Sequence, residues 1–228
     1  MSRLDNRDIW VFDLDNTLYP SDCDLFELVS DRMNEFIVDA LSVDLEEAKR
    51  LRRDYYLRFG TTLAGLMELH DIEPDGFLDF VHDIDHSRLD ENPALDQAIR
   101  ALPGRKLIYT NGSRGHAEGV AGKIGILDAF EEIFDIKAAD YIPKPAPTAF
   151  RAFLAKHAVA PERAAMFEDL PHNLLPAHTA GMTTVLVHSD FDDHPSQKSA
   201  TATERPAYID HRTENLTGFL EEVVAAMS

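Results

Sequence analysis

Short, uninterrupted runs of apolar residues recur along the chain, and each run ends at a polar residue or a turn. Runs without polar alternation are typical of parallel β-strands that are buried on both faces of a sheet. Between the runs, apolar residues recur at helical spacing, and glycine or proline marks several helix ends. Strands that alternate with helices predict a doubly wound (Rossmann-like) parallel sheet of the α/β class. The predicted strands are 8–15, 106–110, 132–135, 164–168 and 183–187, and the predicted helices between and after them are 114–124, 148–157, 174–179 and 216–227.

The segment from about residue 22 to residue 100 breaks this alternation, because its apolar residues follow helical spacing throughout. Asp44 stands three residues before Glu47, a pair that resembles a capping box and predicts the start of a helix. We therefore expect an all-helical insertion directly after the first strand. The predicted domains are an α/β core formed by residues 1–20 and 101–228 and a helical cap subdomain formed by residues 21–100.

Composition and charge narrow the classes of function. The chain has 228 residues, 41 of them acidic and 22 basic, so its formal net charge is −19, and 44% of its residues are hydrophobic. A hydrophobic content of this size is typical of a folded globular protein. The negative charge argues against nucleic-acid polymers and anionic membrane surfaces as partners. The single cysteine, Cys23, excludes an intramolecular disulfide framework and a CxxC metal site.

Apolar runs and the first residues of the chain also bear on location and assembly. No apolar run approaches the roughly 18–20 residues that span a bilayer, and the first ten residues contain no signal-peptide core. We expect a soluble, cytoplasmic protein that acts on a small molecule, either as a monomer or as a homodimer. The stretch 189–206, rich in Asp, Ser, Thr and His, is expected to be a loop.

Candidate catalytic residues stand at the carboxyl ends of the predicted strands, where open α/β sheets bind ligands. Asp13 and Asp15 are two residues apart, so both side chains can point the same way. Thr110-Asn111 ends the second predicted core strand, Glu168-Asp169 ends a later one, and Lys144 lies between two prolines in the intervening loop. Carboxylates that converge repel one another unless a cation neutralises them, and hard oxygen ligands suit Mg²⁺.

Each of these features also has an ordinary structural explanation when it is taken alone. A lysine between prolines is usually a surface lysine, and Asn111-Gly112 is a common turn dipeptide. Glu168-Asp169 is able to cap the helix that follows it. None of these explanations accounts for all the features in this order, so we favour a catalytic interpretation of the whole set.

The ordered set resembles the motifs of the haloacid dehalogenase superfamily, to which the aspartyl-phosphate hydrolases belong. The motifs read Asp13-x-Asp15-x-Thr17, Thr110-Asn111, Lys144-Pro145 and Glu168-Asp169. The first three follow the family pattern closely, whereas the fourth has Glu-Asp where many members have Asp-Asp or Gly-Asp. The resemblance spans residues 9–188 and implies a phosphate-ester hydrolase whose helical cap lies over the phosphate site.

The resemblance also implies a role for each motif residue. Asp13 is the expected nucleophile, which forms an aspartyl phosphate. Asp15 is the expected general acid, which protonates the leaving alcohol and then activates the water for hydrolysis of the intermediate. Thr110 and the backbone amides around Asn111 are expected to hold phosphate oxygens. Lys144 is expected to neutralise charge on the nucleophile and on the phosphoryl group.

Mg²⁺ is the cofactor that the resemblance implies. Its expected ligands are Asp13, the backbone carbonyl of Asp15, and Asp169, with Glu168 bound directly or through a water molecule.

Asp15 separates two reactions within the superfamily. The dehalogenases resemble the phosphatases at the first aspartate but lack an acid two residues later, because a halide leaves without a proton whereas an alkoxide needs one. Asp15 therefore favours phosphomonoester hydrolysis over 2-haloacid dehalogenation. A non-catalytic binding domain would be marked by the loss of a motif residue, and all of them are present.

The cap segment 55–70 resembles that of the pyrimidine 5′-nucleotidases in this superfamily, as do the segment 15–20 and the Glu-Asp-x-x-x-Asn sequence at 168–173. This resemblance implies nucleoside 5′-monophosphates as substrates, with pyrimidine nucleotides preferred. The alternative is a general small-metabolite phosphatase acting on sugar phosphates, phosphoglycolate or flavin mononucleotide. Apolar residues at helical spacing in this segment more often form a cap core than a substrate platform. The candidate substrate contacts are Tyr19, Arg58 and Thr61.

His82 and His86 lie four residues apart with acids between them. Two histidines at this spacing can bind a metal, but no third ligand is evident, so we interpret them as a solvated helix end.

Overall fold

Six strands form a single parallel sheet in the computed structural model, which describes residues 4–189 and 206–227. Neighbouring strands are hydrogen-bonded in the order β3-β2-β1-β4-β5-β6, and every pair is parallel. This is the order of a doubly wound α/β sheet, so the predicted fold class is confirmed. The strands are β1 (Ile9–Phe12), β2 (Arg105–Tyr109), β3 (Glu132–Phe134), β4 (Ala164–Glu168), β5 (Thr183–Val187) and β6 (His211–Thr213).

Strand β6 differs from the other strands because no apolar run predicts it. Its three residues, His-Arg-Thr, pair with β5 at the edge of the sheet, and among the described residues no strand pairs with its other side. Apart from its two end residues, the loop predicted at 189–206 lies outside the described residues.

The helix boundaries follow local sequence signals. Helix α2 begins where predicted, because the Asp44 carboxylate accepts a hydrogen bond from the Glu47 amide at 2.9 Å. Helices α6 and α8 end at Gly125 and Gly181, whose φ angles of 82° and 99° suit glycine. Among the described helices, none has both the length and the apolar character that a membrane crossing requires. They are α1 (Leu25–Leu41), α2 (Leu45–Phe59), α3 (Thr62–His70), α4 (Pro74–Val81), α5 (Pro93–Ala101), α6 (Arg114–Ile124), α7 (Pro147–Lys156), α8 (Leu174–Ala180) and α9 (Leu216–Met227).

Alternate residues of the strands enter two separate hydrophobic clusters, one on each face of the sheet. In β1, Trp10 and Phe12 pack with residues of α5, α6 and α9, whereas Ile9 and Val11 pack with residues of α7 and α8. A strand that is covered on both faces needs an apolar residue at every position, which explains the uninterrupted runs in the sequence.

Helices α1–α4 form a separate unit with its own hydrophobic cluster, inserted between β1 and α5. Its buried residues include Ile37, Leu66 and Phe77, and Ile136, from the segment after β3, packs with them. Helix α5 packs instead in the core cluster that it shares with α9. The predicted boundaries 1–20, 21–100 and 101–228 assign α5 to the cap. We propose that the cap subdomain consists of α1–α4 and that the core resumes before α5.

The cap contacts the core through the segment between β3 and α7. Asp75, at the start of α4, accepts hydrogen bonds from the Lys137 ammonium at 2.8 Å and from the Tyr141 hydroxyl at 2.6 Å. At the end of α2, Gly60 packs beside Pro143, since a Cβ atom on it would be in van der Waals contact with the proline ring at 3.6 Å. These contacts place the cap beside the loop that carries Lys144.

Candidate active site

The sheet brings the ends of β1, β2 and β4 side by side. Asp13 directly follows β1, and its amide donates a hydrogen bond to the Phe167 carbonyl at 2.9 Å, which extends the pairing of β1 with β4. Thr110 follows β2, and its amide donates to the Phe134 carbonyl at 3.0 Å. The order of the strands reverses at β1, and open α/β sheets bind ligands at such a switch point.

A buried lysine joins the motif residues. The Lys144 ammonium donates hydrogen bonds to Asp13 Oδ1 at 2.5 Å, to Glu168 Oε1 at 2.7 Å and to the Tyr109 carbonyl at 3.0 Å, and its side chain is only 3% exposed. Burial alone would lower the pKa of Lys144, but the Asp13 and Glu168 carboxylates raise it above its ordinary value. Lys144 is therefore a cation at every physiological pH.

Glu168 is held in place by its own neighbours. Its Oε1 accepts a hydrogen bond from Asn173 Nδ2 at 2.6 Å, and its Oε2 accepts one from the Leu170 amide at 2.7 Å. Burial would raise the pKa of Glu168, but Lys144 and the donors around it bring that pKa below its ordinary value. Glu168 is therefore a carboxylate in a fixed orientation.

The Asp13 carboxylate is held on both of its oxygen atoms. Thr17 Oγ1 donates a hydrogen bond to Asp13 Oδ2 at 3.1 Å, while Lys144 contacts Oδ1. This explains the position of Thr17 in the first motif, since the turn after Asp13 brings the hydroxyl four residues later back to the carboxylate.

The loop after β2 supports the site in two ways. Thr110 Oγ1 accepts a hydrogen bond from the Gly112 amide at 2.9 Å, which shapes the start of the loop. The Asn111 side chain contacts the backbone of Lys144, accepting from its amide at 2.8 Å and donating to its carbonyl at 3.5 Å. Asn111 therefore positions the lysine segment, and phosphate binding by Thr110 and the nearby amides stays a prediction.

Asp15 is held by two side chains that donate to the same oxygen. Its Oδ1 accepts hydrogen bonds from the Tyr19 hydroxyl at 2.7 Å and from His116 Nε2 at 2.8 Å. Burial would raise the pKa of Asp15, but His116 and Tyr19 lower it to about 2. Burial and the nearby Asp15 raise the pKa of Tyr19 well above its ordinary value, so its hydroxyl stays a donor. Tyr19, a predicted substrate contact, thus contacts the expected general acid.

Three buried carboxylates form a cluster that fits a divalent cation. Oxygen atoms of Asp13, Glu168 and Asp169 lie within 4.8 Å of one another. Burial raises the pKa of Asp13 to about 7 in spite of Lys144, and burial together with Glu168 and Asp13 raises the pKa of Asp169 well above its ordinary value. One lysine does not neutralise three carboxylates, and hard oxygen ligands suit Mg²⁺. Asp13 and Asp169 would hold such an ion, with Glu168 beside them.

The raised pKa values predict how Mg²⁺ binding depends on pH. Protons occupy Asp13 and Asp169 below their raised pKa values and compete with the ion, so Mg²⁺ should stabilise the protein more at pH 8 than at pH 5.5. At 100 times its dissociation constant, Mg²⁺ adds about 2.7 kcal/mol, or roughly 5–10 °C in Tm for a chain of this size. Without metal, these two groups make the free energy of unfolding fall as pH rises toward 7, because the folded state binds more protons. Thermal unfolding with Mg²⁺ or EDTA at both pH values checks this, and a larger Mg²⁺ shift at pH 5.5 would contradict it.

The other two predicted substrate contacts lie in the cap. Arg58 is exposed on α2, where its Nη1 donates to Asp54 Oδ2 at 2.9 Å and its guanidinium lies 4.9 Å from the Phe59 ring centre. Thr61 caps α3, since its Oγ1 accepts a hydrogen bond from the Ala64 amide at 3.1 Å. Within the described residues, neither has a hydrogen bond to a motif residue, and their contact with substrate stays a prediction.

An open cleft of about 400 Å³ lies between the end of α2 and the Lys144 segment. Phe59 and Gly60 line it from the cap, and residues 142–147, which include three prolines, line it from the core. Lys144 is among the residues that line this cleft, and its ammonium contacts Asp13 and Glu168, so the cleft lies beside the segment that carries the motif lysine.

Of the two histidines near Asp15, one was not predicted from the sequence, and the surroundings of the other were predicted wrongly. His116, which no motif marks, lies on α6 and contacts Asp15. The prediction that His82 belongs to a solvated helix end is wrong, because its ring stacks on that of His116 with centres 4.4 Å apart. The His82 ring also forms a hydrogen bond with Ser113 Oγ at 2.9 Å. The partners are more than 30 residues away in sequence, so no local pattern reveals these contacts.

Comparison with known proteins finds a matching family and a similar yeast protein. Residues 8–181 match the haloacid dehalogenase-like hydrolase family. The Saccharomyces cerevisiae (strain ATCC 204508 / S288c) protein named Phosphate metabolism protein 8 is 26% identical over 236 residues, which cover 96% of this chain and 71% of that protein.

Two solved structures show that this fold serves more than one reaction. A HAD phosphatase from Thermococcus onnurineus is 17% identical with a TM-score of 0.60, over 95% of this chain and 97% of that one. The L-2-haloacid dehalogenase from Xanthobacter autotrophicus is also 17% identical, with a TM-score of 0.59, over 97% of this chain and all of that one. Similarity at this level shows a common fold, so the choice of reaction depends on the site residues.

Proposed function

The chain belongs to the haloacid dehalogenase-like hydrolase family, and from that premise we propose that it is a Mg²⁺-dependent phosphomonoesterase that acts through an aspartyl phosphate. The observation that carries this proposal is the Asp15 carboxylate, fixed by Tyr19 and His116 two residues after the nucleophile. An alkoxide leaving group needs a proton and a halide does not. The fixed acid therefore supports phosphate-ester hydrolysis over dehalogenation.

In the first half-reaction, Asp13 attacks phosphorus and the bond from phosphorus to the leaving oxygen breaks. Asp15 gives a proton to that oxygen, so the product leaves as an alcohol. Lys144, 2.5 Å from Asp13, neutralises charge that gathers around the carboxylate and the phosphoryl group. When bound, Mg²⁺ adds positive charge for the phosphate oxygens and orients them relative to the nucleophile.

In the second half-reaction, water attacks phosphorus and the bond from Asp13 to phosphorus breaks. Asp15, which gave its proton to the leaving oxygen, now accepts a proton from the water and is protonated again. In the free site its pKa is about 2, so it is ionised there and takes up a proton from solvent when the substrate binds. A bound phosphate dianion beside Asp15 raises its proton affinity, because like charges repel. The same residue can therefore carry the proton in one step and accept it in the next.

We further propose nucleoside 5′-monophosphates as substrates, with pyrimidine nucleotides preferred. The resemblance of cap segment 55–70 to the pyrimidine 5′-nucleotidases supports this choice. So does the cleft beside Lys144, whose Phe59 ring and prolines suit the flat face of a base. The alternative is a general phosphatase for small metabolites such as sugar phosphates and phosphoglycolate.

Phosphate release from a panel of phosphomonoesters, with Mg²⁺ or EDTA, tests the proposal. The panel contains UMP, CMP, their deoxy forms, AMP, GMP, flavin mononucleotide, phosphoglycolate and sugar phosphates, and 2-chloropropionate with chloride detection. We expect Mg²⁺-dependent phosphate release with kcat/KM about 10-fold or more higher for UMP and CMP than for purine nucleotides, which corresponds to 1.4 kcal/mol or more of discrimination. Equal activity on all phosphomonoesters would be compatible with the proposed phosphatase reaction and would contradict the pyrimidine preference. Chloride release without phosphate release would overturn the phosphatase itself.

Two variants test whether the cleft is the base site. Phe59→Ala should lower kcat/KM for UMP more than for phosphoglycolate, which has no base to place in the cleft. Leu57→Ala is the matched control, because Leu57 lies on the same helix with 61% of its surface exposed and does not line the cleft. An equal loss on both substrates in Phe59→Ala would contradict the assignment.

A further inference from the structure

A group of histidines outside the four motifs lies behind the Asp15 carboxylate. His116 is on α6 of the core, whereas His82 directly follows α4 of the cap and His86 lies four residues later. The rings of His82 and His116 are stacked, with centres 4.4 Å apart and planes 15° apart, and the His86 ring centre lies 6.2 Å from that of His116. In the described part of the chain, the group close enough to hold a metal is the acidic cluster and not these rings.

The contact of His116 with Asp15 distinguishes the two carboxylate oxygens. Oδ1 accepts hydrogen bonds from both His116 and Tyr19, which occupy its lone pairs. Oδ2 is left to carry the transferable proton. It faces the loop after β2, since a Cβ atom on Gly112 would lie 3.7 Å from it and 3.3 Å from Thr110 Oγ1.

The orientation of the His116 ring is itself determined by its surroundings. The His116 side chain is 1% exposed, and the His82 ring covers one of its faces. His82 is fixed by its hydrogen bond with Ser113 Oγ at 2.9 Å, and the same oxygen accepts from the His116 amide at 3.3 Å. The His116 ring on α6 is thus covered by the His82 ring, which a residue at the start of α6, Ser113, holds at the end of the cap helix α4.

Building on the proposed phosphomonoesterase function, we propose that His116, with His82 stacked on it, is a positioning residue that holds Asp15 so that its Oδ2 faces the leaving oxygen. His116 does not touch the substrate. Because His82 comes from the cap, the proton donor is fully oriented only when this end of the cap lies against α6. The arrangement links cap position to proton transfer.

The choice of leaving group separates this role from a merely structural one. In kcat/KM, which reports the steps up to departure of the leaving group, an alkyl phosphate needs the proton from Asp15 and p-nitrophenyl phosphate hardly does. We expect His116→Met to lower kcat/KM about 100-fold for the alkyl phosphate that the wild type hydrolyses fastest, and less than about 3-fold for p-nitrophenyl phosphate. His116→Gln keeps an N–H donor near the position of Nε2 and should recover most of the loss.

The controls separate the possible failures. His70→Gln is the matched control, because His70 pairs with Tyr55 inside the cap and should leave both substrates unchanged. Equal losses on both substrates in His116→Met, or no recovery in His116→Gln, would overturn the positioning role. A wild type that releases no phosphate from either compound would overturn the proposed function, and this inference with it.

A second pair of variants carries the test if His116→Met does not fold. His82→Phe keeps an aromatic ring against His116, whereas His82→Ala removes it. We expect the ratio of kcat/KM for the alkyl phosphate to kcat/KM for p-nitrophenyl phosphate to fall more in His82→Ala than in His82→Phe. A wild-type ratio in His82→Ala would overturn the proposal.

Discussion

Asp13→Asn is expected to lower phosphate release about 10⁴-fold or more while the protein remains folded. The amide of asparagine does not attack phosphorus, and removal of a covalent nucleophile costs far more than removal of a binding contact. The shape of the side chain is kept, so Thr17 and Lys144 lose little packing. Initial rates with Mg²⁺ and the best substrate of the panel measure the effect.

Stability separates this loss from unfolding. Burial raises the pKa of Asp13 to about 7, so the ionised carboxylate is costly for the folded state at pH 8, and neutral asparagine removes that cost. Lys144 keeps Glu168 as a partner at 2.7 Å. The Tm of the metal-free variant at pH 8 should therefore equal or exceed that of the wild type, whereas the stabilisation by Mg²⁺ should shrink.

Asp8→Asn is the matched control for Asp13→Asn. Asp8 directly precedes the same strand at its opposite end and pairs with Arg163 on the surface. Its change should leave activity within about 2-fold, because it lies outside the site. Activity of Asp13→Asn above one hundredth of the wild-type value would rule out an aspartyl phosphate on this residue.

The core of the fold could be predicted because its determinants are local. Each strand that is covered on both faces requires an uninterrupted apolar run, and Gly125 and Gly181 mark helix ends through a backbone conformation that suits glycine. Strand β6 carries no such signal, since an edge strand needs only backbone partners. Helix α5 could not be assigned to the core, because the same amphipathic pattern serves a helix packed on a sheet and a helix packed in a cap.

The motif residues could be grouped because the ends of parallel strands meet at one edge of the sheet. Lys144 was predicted as part of this group, and the structure places its ammonium between Asp13 and Glu168. The partners of Asp15 were not predictable in the same way. Tyr19 is close in sequence but was interpreted as a substrate contact, and His116 approaches from 101 residues away through tertiary packing alone.

Lys144→Met is expected to reduce both stability and activity, and the two losses should separate under the right conditions. Removing one partner from a buried ion pair leaves an uncompensated charge and costs about 3–5 kcal/mol, which lowers Tm by roughly 6–20 °C in a chain of this size. Loss of the cation beside the phosphoryl group should lower kcat by about 10³-fold. Thermal unfolding in EDTA and initial rates in Mg²⁺ measure the two effects.

Lys137→Met is the matched control, since Lys137 lies in the same segment between β3 and α7. Its ammonium pairs with Asp75 at 2.8 Å on the surface, where a charge is screened by water. The same substitution there should change Tm little and leave kcat of the same order. A comparable loss of stability in both variants would mean that the Lys144 effect is not due to burial.

The double variant Lys144→Met/Glu168→Gln distinguishes charge balance from chemistry. Lys144 contacts two carboxylates, so removal of the lysine alone leaves Asp13, Glu168 and Asp169 to repel one another, and neutralising Glu168 should restore part of the lost Tm. Activity should not return, because the cation beside the nucleophile is still missing. Mg²⁺ should likewise raise the Tm of Lys144→Met more than that of the wild type, since it supplies the missing positive charge. If the double variant recovered both activity and stability, Lys144 would have a structural role only. The positive charge at the phosphoryl group would then have to come from another residue.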